Sequence, residues 1–179
     1  LRRACQASLD RLGLDVLPLY LHHRPDPRVP FEESMGGLKD LHDEGLVQRV
    51  GISNVDTARI RIAHRVLGSA LVAVQNEYSP RERKSEPEID LCADLGLAFL
   101  SWGPLGGMRQ AKDLGSACSS FADVAAARGV SPQRVSLAWQ LHRSASIIPI
   151  PGASRPESIL DSLAAADLEL TPEELDLLK

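Results

Sequence analysis

The chain has 179 residues, is 44% hydrophobic and 25% charged, and carries a net charge of −4, enough for one domain with a sizeable core. It has no Lys/Arg-rich stripe, which argues against nucleic-acid binding, and no apolar run approaches the roughly 20 residues of a membrane span. Cys5, Cys92 and Cys118 are far apart and odd in number. This spacing argues against a disulfide framework or a zinc cluster and favours a reducing, cytoplasmic compartment.

Five short apolar segments, each followed by a helical pattern, run along the chain. We predict strands at 17–23, 48–53, 71–75, 97–102 and 146–150, and helices at 1–12, 31–44, 56–67, 86–95, 119–128, 132–142 and 155–166. A polar loop is predicted at 77–85, and the longest irregular stretch is predicted from Gly103 to Ser116. The chain begins with Leu1 rather than Met, and we expect it to be part of a longer polypeptide.

Three predicted helix starts carry a Ser or Thr one or two residues before a proline. Ser131 precedes Pro132 as a predicted N-cap. The segments 154–157 and 171–174 both fit a capping box, in which a Ser or Thr side chain and a Glu three residues later satisfy each other's backbone N–H groups.

Repeated strand–helix units indicate parallel strands joined by right-handed crossovers. A doubly wound sheet and a (β/α)8 barrel both fit this pattern. We favour the α/β barrel of the TIM type, because every strand ends in a chemically useful residue rather than only the strands at one switch point. Five units cannot close eight strands, so we expect an incomplete barrel: residues 1–179 form one domain, strands 4–8, and about three units are missing from the N-terminal side.

Polar or aromatic residues close the predicted strands. His23, Gln75 and Trp102 each follow an apolar run, and Ser53 and Asn54 close another. An Asn side chain and a Ser hydroxyl together can bind a primary amide. The alternative is that Ser53 and Asn54 cap the next helix, since both residue types do so well.

Alternation along the first strand places His23 on the same face as Leu19 and Leu21, the barrel interior, with Tyr20 and His22 facing the helices. Neighbours on a strand point to opposite faces, so His22 and His23 are not expected to share a metal ion. Trp139 falls in a helical pattern and is predicted to pack in the core.

Five segments together resemble the aldo-keto reductases, in the order and at roughly the spacing of that family. They are residues 19–26 (LYLHHRPD), 51–54 (GISN), 74–79 (VQNEYS), 102–107 (WGPLGG) and 148–154 (IPIPGAS). The resemblance covers essentially the whole chain, from the family's fourth strand onward. It implies a (β/α)8 barrel that uses NADP(H), sometimes NAD(H), to reduce the carbonyl group of small aldehydes and ketones.

The resemblance also implies roles for individual residues. His23 matches the active-site histidine that orients the substrate carbonyl, and Trp102 matches an aromatic residue that stacks on the nicotinamide; a core tryptophan is the alternative. Ser53, Asn54 and Gln75 match the residues that bind the nicotinamide carboxamide. The remaining predicted cofactor contacts are Gly103, Leu105 and Gly106 on the pyrophosphate side, and Gly152, Ser154, Arg155, Ser158, Asp161 and Ser162 in the last turn and helix.

Two departures from the family pattern limit these expectations. Gly152 and Ala153 stand where the best-known members have a Lys-Ser pair, which leaves Arg155 as the one cation of the turn and predicts modest discrimination between NADPH and NADH. The family's catalytic Asp, Tyr and Lys belong to its first three units, and neither Tyr20 nor Tyr78 matches that Tyr. We therefore expect this segment alone to be inactive, completed by a missing half-barrel or self-associated through open edges; the alternatives are a non-catalytic nucleotide-binding protein and a truncated fragment.

Overall fold

A computed structural model describes residues 1–107 and 111–179. Strands and helices alternate in the predicted order. The strands are β1 (Tyr20–His22), β2 (Val50–Ser53), β3 (Leu71–Glu77), β4 (Ala98–Trp102) and β5 (Ile147–Pro149). The helices are α1 (Arg2–Leu12), α2 (Phe31–Asp43), α3 (Thr57–Leu67), α4 (Glu86–Leu95), α5 (Leu114–Ala117), α6 (Ser119–Arg128), α7 (Pro132–Arg143), α8 (Pro156–Leu163) and α9 (Pro172–Leu177), with 3₁₀ turns at Gly68–Ala70, Ala111–Asp113 and Ala164–Asp167.

The five strands form one parallel sheet in the order β1-β2-β3-β4-β5, as predicted. The order does not reverse at any point, whereas a doubly wound sheet has a switch point where it does. β1 is shorter than predicted: it begins at Tyr20, and Leu17 makes only an isolated bridge to Val47. Pro18, which has no backbone N–H, lies between the two pairings.

The two faces of the sheet differ in cover. Ile52, Val74, Phe99 and Ile147 occupy paired positions on successive strands and are all buried in the core with the helices. The opposite face carries the intervening residues, and part of it is open: Ile148 is 51% exposed, and Leu19 and Ile150 are each 40% exposed. Helices on one face and an open apolar face on the other describe part of a barrel wall.

The core contains aliphatic residues and a cluster of aromatic side chains. Trp139 of α7 is buried, as predicted, and stacks on Tyr78 with their ring centroids 5.3 Å apart. Phe121 of α6 meets the edge of Trp139 at 5.7 Å, and the Arg83 guanidinium lies 4.5 Å over the Trp139 ring. This cluster fixes the segment that follows β3 against α6 and α7.

Two of the three predicted helix caps are confirmed, and one is wrong. Ser131 caps α7, and Thr171 forms the predicted capping box with Glu174. At α8 the N-cap is Arg155 rather than Ser154, and no side chain caps the helix. Pro156 occupies the first helical position, which leaves Ser154 one residue too far away to reach the free N–H groups.

The predicted irregular stretch from Gly103 to Ser116 is only partly irregular. It contains the 3₁₀ turn Ala111–Asp113 and most of α5, while its residues 108–110 lie outside the described residues. The outer edges of β1 and β5 have no strand partner within the described ranges. None of the described helices is both long and apolar enough to cross a membrane.

Candidate functional site

Four of the predicted site residues lie at the carboxyl ends of neighbouring strands. His23 follows β1, Asn54 follows β2, Gln75 lies near the end of β3, and Trp102 ends β4. Because the strands are parallel and adjacent in this order, their ends form one rim. The predicted grouping on one rim is confirmed.

Asn54 is the centre of the hydrogen bonds at this rim. Its side-chain Nδ2 donates to the backbone carbonyl of His23 at 2.8 Å and to Oγ of Ser53 at 3.1 Å. Its backbone N–H donates to the carbonyl of Gln75 at 3.0 Å. Its φ is +58°, the left-handed conformation that Asn tolerates better than most residues. The side-chain oxygen Oδ1 of Asn54 is left without a partner among the described residues and can accept a hydrogen bond.

Ser53 is buried, and its hydroxyl donates to the backbone carbonyl of Gln75 at 2.6 Å. Its single donor is thereby used, and one acceptor position remains beyond the bond from Asn54. The interpretation of Ser53 and Asn54 as helix caps is wrong. Asp56 caps α3, accepting from the backbone N–H of Arg59 at 2.8 Å, because the chain turns at Asn54 and the helix begins only at Thr57.

The Asn76 side chain, which sequence reasoning did not select, holds the segment after β2 in place. Its Oδ1 accepts from the backbone N–H of Val55 at 3.1 Å, and its Nδ2 donates to the carbonyl of Val55 at 2.7 Å. Asn76 is buried on the helix-facing side of β3. Its place in an otherwise apolar alternation was the available signal, since a buried amide needs partners.

Gln75 and Trp102 present unused donors at the same rim. The half-buried Gln75 side chain makes no hydrogen bond within the described residues, and Nε1 of Trp102 is buried there without an acceptor. Buried polar atoms without a partner are uncommon and often mark a ligand or a water position. The set therefore offers an amide-binding group on Asn54, Ser53 and Gln75 beside an indole ring.

The glycine turn after β4 is built and anchored. The N–H of Gly106 donates to the carbonyl of Gly103 at 2.8 Å, and both glycines have positive φ. The carbonyl of Pro104 accepts from Nε2 of Gln140 at 2.9 Å, and Oε1 of Gln140 accepts from the Ser101 hydroxyl at 2.7 Å. Leu105 packs on the core rather than facing out. The buried Gln140 thus fixes this turn against α7, a role that the sequence did not reveal.

The last turn is open to solvent. Gly152, Ser154 and Arg155 are all exposed. A shallow depression of about 390 Å³ is formed by Ala153, Ser154, Arg155, Pro156 and Ile159.

Three cofactor contacts were predicted on α8, and some of these side chains already form hydrogen bonds within the chain. Asp161 is occupied: its carboxylate accepts from the Ser131 hydroxyl at 2.5 Å and from the Arg134 guanidinium at 2.7 and 3.0 Å. Ser162 donates to the carbonyl of Ser158 at 2.9 Å within the helix. Asp161 therefore joins α8 to the start of α7, whereas the Ser158 hydroxyl has no partner among the described residues.

His23 is exposed just past β1. The side chains of Tyr20 and His22 on β1 face the helices, as predicted. Tyr20 packs on the core, and the rings of His22 and Phe31 meet edge to face with their centroids 6.1 Å apart. Burial lowers the pKa of His22. Of these two adjacent histidines, His23 is therefore the one whose side chain is exposed and available to a ligand at the rim.

Tyr78 is fully buried, and its hydroxyl donates to Oε1 of Glu86 at 3.2 Å. Burial, with a further contribution from Glu86, raises the pKa of Tyr78 well above its ordinary range. A phenol held in this way is a structural group and not a proton donor at the rim.

A sequence model of the aldo/keto reductase family matches residues 1–179. The chain belongs to the aldo/keto reductase family. The match and the incomplete barrel together confirm the predicted relationship and fold class.

Solved structures of aldo-keto reductases superpose closely on the chain. The thermostable aldo-keto reductase Tm1743, crystallised with the inhibitor epalrestat, is 27% identical with a TM-score of 0.86, over 98% of this chain and 64% of that one. Two Klebsiella pneumoniae aldo-keto reductase structures, one with NADP and acetate and one with NADPH, are 31% and 32% identical. Both have a TM-score of 0.85 over 99% of this chain and 62% of theirs. The chain thus spans less than two thirds of the length of these relatives.

Proposed function

We propose that this chain is the cofactor-binding portion of an NAD(P)H-dependent oxidoreductase that reduces aldehydes or ketones to alcohols. The observation that supports the proposal most directly is the amide-binding group at the rim, formed by Asn54, Ser53 and Gln75. The Klebsiella pneumoniae relatives, crystallised with NADP and NADPH, support the choice of cofactor.

The donors and acceptors of the rim fit a nicotinamide carboxamide. A carboxamide NH₂ group needs two acceptors, and Oδ1 of Asn54 and the remaining acceptor position of Ser53 supply them. Its carbonyl needs a donor, and the unpartnered Gln75 amide can supply one. Fewer donors are free for the carboxamide than the residue types suggested. The Ser53 hydroxyl proton and both side-chain N–H groups of Asn54 are already bound within the chain.

Trp102 would hold the ring, and the turn from Gly103 to Gly106 would lie along the pyrophosphate. The indole face offers a stacking surface beside Gln75, and Leu105, packed on the core, fixes the turn from below. The bound cofactor supplies a hydride for the carbonyl carbon. The chain contributes the orientation of that ring, through the rigid hydrogen bonds of Asn54 and Gln140.

The last turn would hold the adenosine end, with Gly152, Ser154, Arg155, Ser158 and Ser162 as candidate contacts. Arg155 is the only cation that we assign to this end, so we expect modest discrimination between NADPH and NADH. Asp161 would act there by holding α8 to Arg134 rather than by binding the nucleotide. Affinities for both cofactors in Arg155→Ala test this: we expect the two affinities to converge, and a retained preference for NADPH of several hundred-fold would contradict it.

His23 would orient the substrate carbonyl. A proton donor must lie within roughly 3 Å of the carbonyl oxygen, and the tyrosines of this chain are elsewhere: Tyr20 packs on the core and Tyr78 is buried. We therefore propose that residues 1–179 alone do not reduce carbonyl compounds. An NAD(P)H-oxidation assay of the purified segment with a reactive aldehyde tests this, and enzyme-dependent turnover would show that a catalytic acid lies within it.

The open apolar face and the two free edges support a partner for this segment. We propose that residues 1–179 act as one domain and that further βα units cover Leu19, Ile148 and Ile150 and pair with β1 and β5. Self-association through the same edges is the alternative. The three free cysteines support a reducing, cytoplasmic location for the whole protein.

A second candidate function is nucleotide binding without chemistry. The observation that favours it is the position of Tyr20 and Tyr78, neither of which reaches the rim. One experiment on the whole protein, which measures both cofactor binding and carbonyl reduction, distinguishes the two functions. Cofactor binding with carbonyl reduction supports the enzyme, and binding without turnover supports the binding protein.

The cofactor site is tested by calorimetric titration with NADP⁺. Gln75→Ala and Asn54→Ala should each lose about 0.5–1.5 kcal/mol of binding free energy, and more where a partner atom is left buried and unpaired. Gln48→Ala, a glutamine outside the rim, is the matched control. Unchanged affinity in both rim variants would remove the carboxamide role.

A further inference from the structure

Glu77 ends β3 two residues after Gln75, so the two side chains leave the sheet on the same face. Its paired position on the neighbouring strand is Trp102. A Cβ atom placed on Gly103 would lie 3.7 Å from Oε1 of Glu77 and 3.9 Å from its Cγ. The Glu77 carboxylate therefore lies along the end of β4, next to the step from Trp102 to Gly103.

No contact of the described residues uses this carboxylate. Glu77 is half-buried, and within residues 1–107 and 111–179 its side chain forms neither an ion pair nor a hydrogen bond. The acidic residues nearest to it in sequence differ: Glu82 pairs with Lys84, and Glu86 accepts from Tyr78. The negative charge of this carboxylate is therefore not neutralised within the described residues and is available to a positively charged group that binds beside it.

We propose that Glu77 sets the preference of the site for the oxidised over the reduced nicotinamide. The inference rests on the proposed function, in which the ring stacks on Trp102 and its carboxamide meets Gln75. Glu77 stands between these two contacts in the sheet, being two residues from one and paired with the other. The oxidised ring carries a positive charge and the reduced ring is neutral, so a fixed negative charge at this position stabilises only the oxidised form.

The same charge assists reduction of a carbonyl substrate. One hydride, carrying two electrons, passes to the carbonyl carbon and one proton passes to its oxygen, which gives the alcohol and leaves the ring with a positive charge. That charge develops as the hydride leaves, so a carboxylate placed beforehand stabilises the transition state more than the ground state. Glu77 would act as a positioning charge and would not take part in proton transfer.

The test compares the dissociation constants of NADP⁺ and NADPH, measured by calorimetry on the longest form of the protein. Glu77→Gln keeps the shape of the side chain and removes its charge. Glu82→Gln makes the same change in charge five residues away, on a side chain already paired with Lys84, and is the matched control. Glu77→Asp retains the charge and guards against a loss that comes only from altered packing.

We expect the ratio of the NADP⁺ to the NADPH dissociation constant to rise about three- to tenfold in Glu77→Gln, the size expected for the loss of one charge beside the ring at a partly screened site. The ratio should stay near the wild-type value in Glu82→Gln and Glu77→Asp. An unchanged ratio in Glu77→Gln, or an equal loss of both affinities, overturns the inference while leaving the proposed function in place. Failure of the wild-type protein to bind either cofactor overturns both.

Discussion

The side-chain amide of Asn54 donates a hydrogen bond to the backbone carbonyl of His23 at 2.8 Å, across 31 residues of sequence. This bond joins the end of β2 to the end of β1. It uses one N–H of the Asn54 amide, the other being bound to Ser53, and the amide oxygen keeps no partner among the described residues. The residue proposed to orient a carbonyl and the residue proposed to bind a carboxamide are therefore fixed relative to each other.

Asn54 should contribute to stability in two separable ways. Asn54→Ala loses the bond to His23 and places a Cβ-bearing residue that favours negative φ at +58°, so we expect about 2–3 kcal/mol less free energy of unfolding. Asn54→Gly loses the bond but accepts the positive φ, and should lose about 1 kcal/mol. Urea unfolding measures both, and equal losses would show that the backbone conformation costs nothing.

Gln140 should be the most sensitive polar residue of the core. Gln140→Leu leaves the Ser101 hydroxyl and the Pro104 carbonyl buried without their main partner, so we expect a loss of about 2–4 kcal/mol in unfolding free energy. Ser136→Ala removes only the longer bond of 3.3 Å to Pro104 and should lose under about 1 kcal/mol. A larger loss in Ser136→Ala would mean that Gln140 does not anchor the turn.

Glu174 should protect α9 in a pH-dependent way. Hydrogen bonds from Arg128, together with the capping box, lower the pKa of Glu174 to about 2. A lowered pKa in the folded state gives stability that is present above the unfolded value of about 4.3 and lost as pH falls toward the folded value. The stability difference between wild type and Glu174→Gln should thus shrink between about pH 5 and pH 2. Glu173→Gln, which removes the charge of an exposed neighbour outside the ion pair with Arg128, is the matched control.

Tyr78 should act at the opposite end of the pH scale. Burial raises its pKa above the ordinary value of about 10. A raised folded-state pKa gives stability that is present below the unfolded value and lost as pH rises above it, because the phenol ionises only on unfolding. Tyr78→Phe should therefore lose less stability than wild type on going from pH 9 to pH 11 in chemical denaturation. Parallel curves for the two proteins would show that the hydroxyl is not buried.

Periodicity was sufficient to predict the sheet. Alternating apolar strands and helices gave the parallel order, and the polar residues at the strand ends located the rim with His23, Asn54, Gln75 and Trp102. These features depend on residues close in sequence, where a period of two or 3.6 residues decides which face is buried. The aldo-keto reductase resemblance then supplied roles that periodicity alone left open.

Contacts between distant residues were not predictable in the same way. The bonds of Gln140 to Ser101 and of Asn76 to Val55 join separate elements, and their residue types alone do not show which partner each finds. Local signals failed where one residue of displacement mattered, as at Ser154, which lies one position before the true N-cap. Glu77 was predicted at the start of the polar loop 77–85, whereas pairing with Trp102 extends β3 to include it.

The most direct measurement is a crystal structure of the longest form of the protein with NADP⁺. We predict that the nicotinamide carboxamide lies within hydrogen-bonding distance of Ser53, Asn54 and Gln75, with its ring against Trp102. A nucleotide whose nicotinamide lies away from this rim, with the Gln75 amide and the Trp102 ring both untouched, would contradict the cofactor site proposed for this chain.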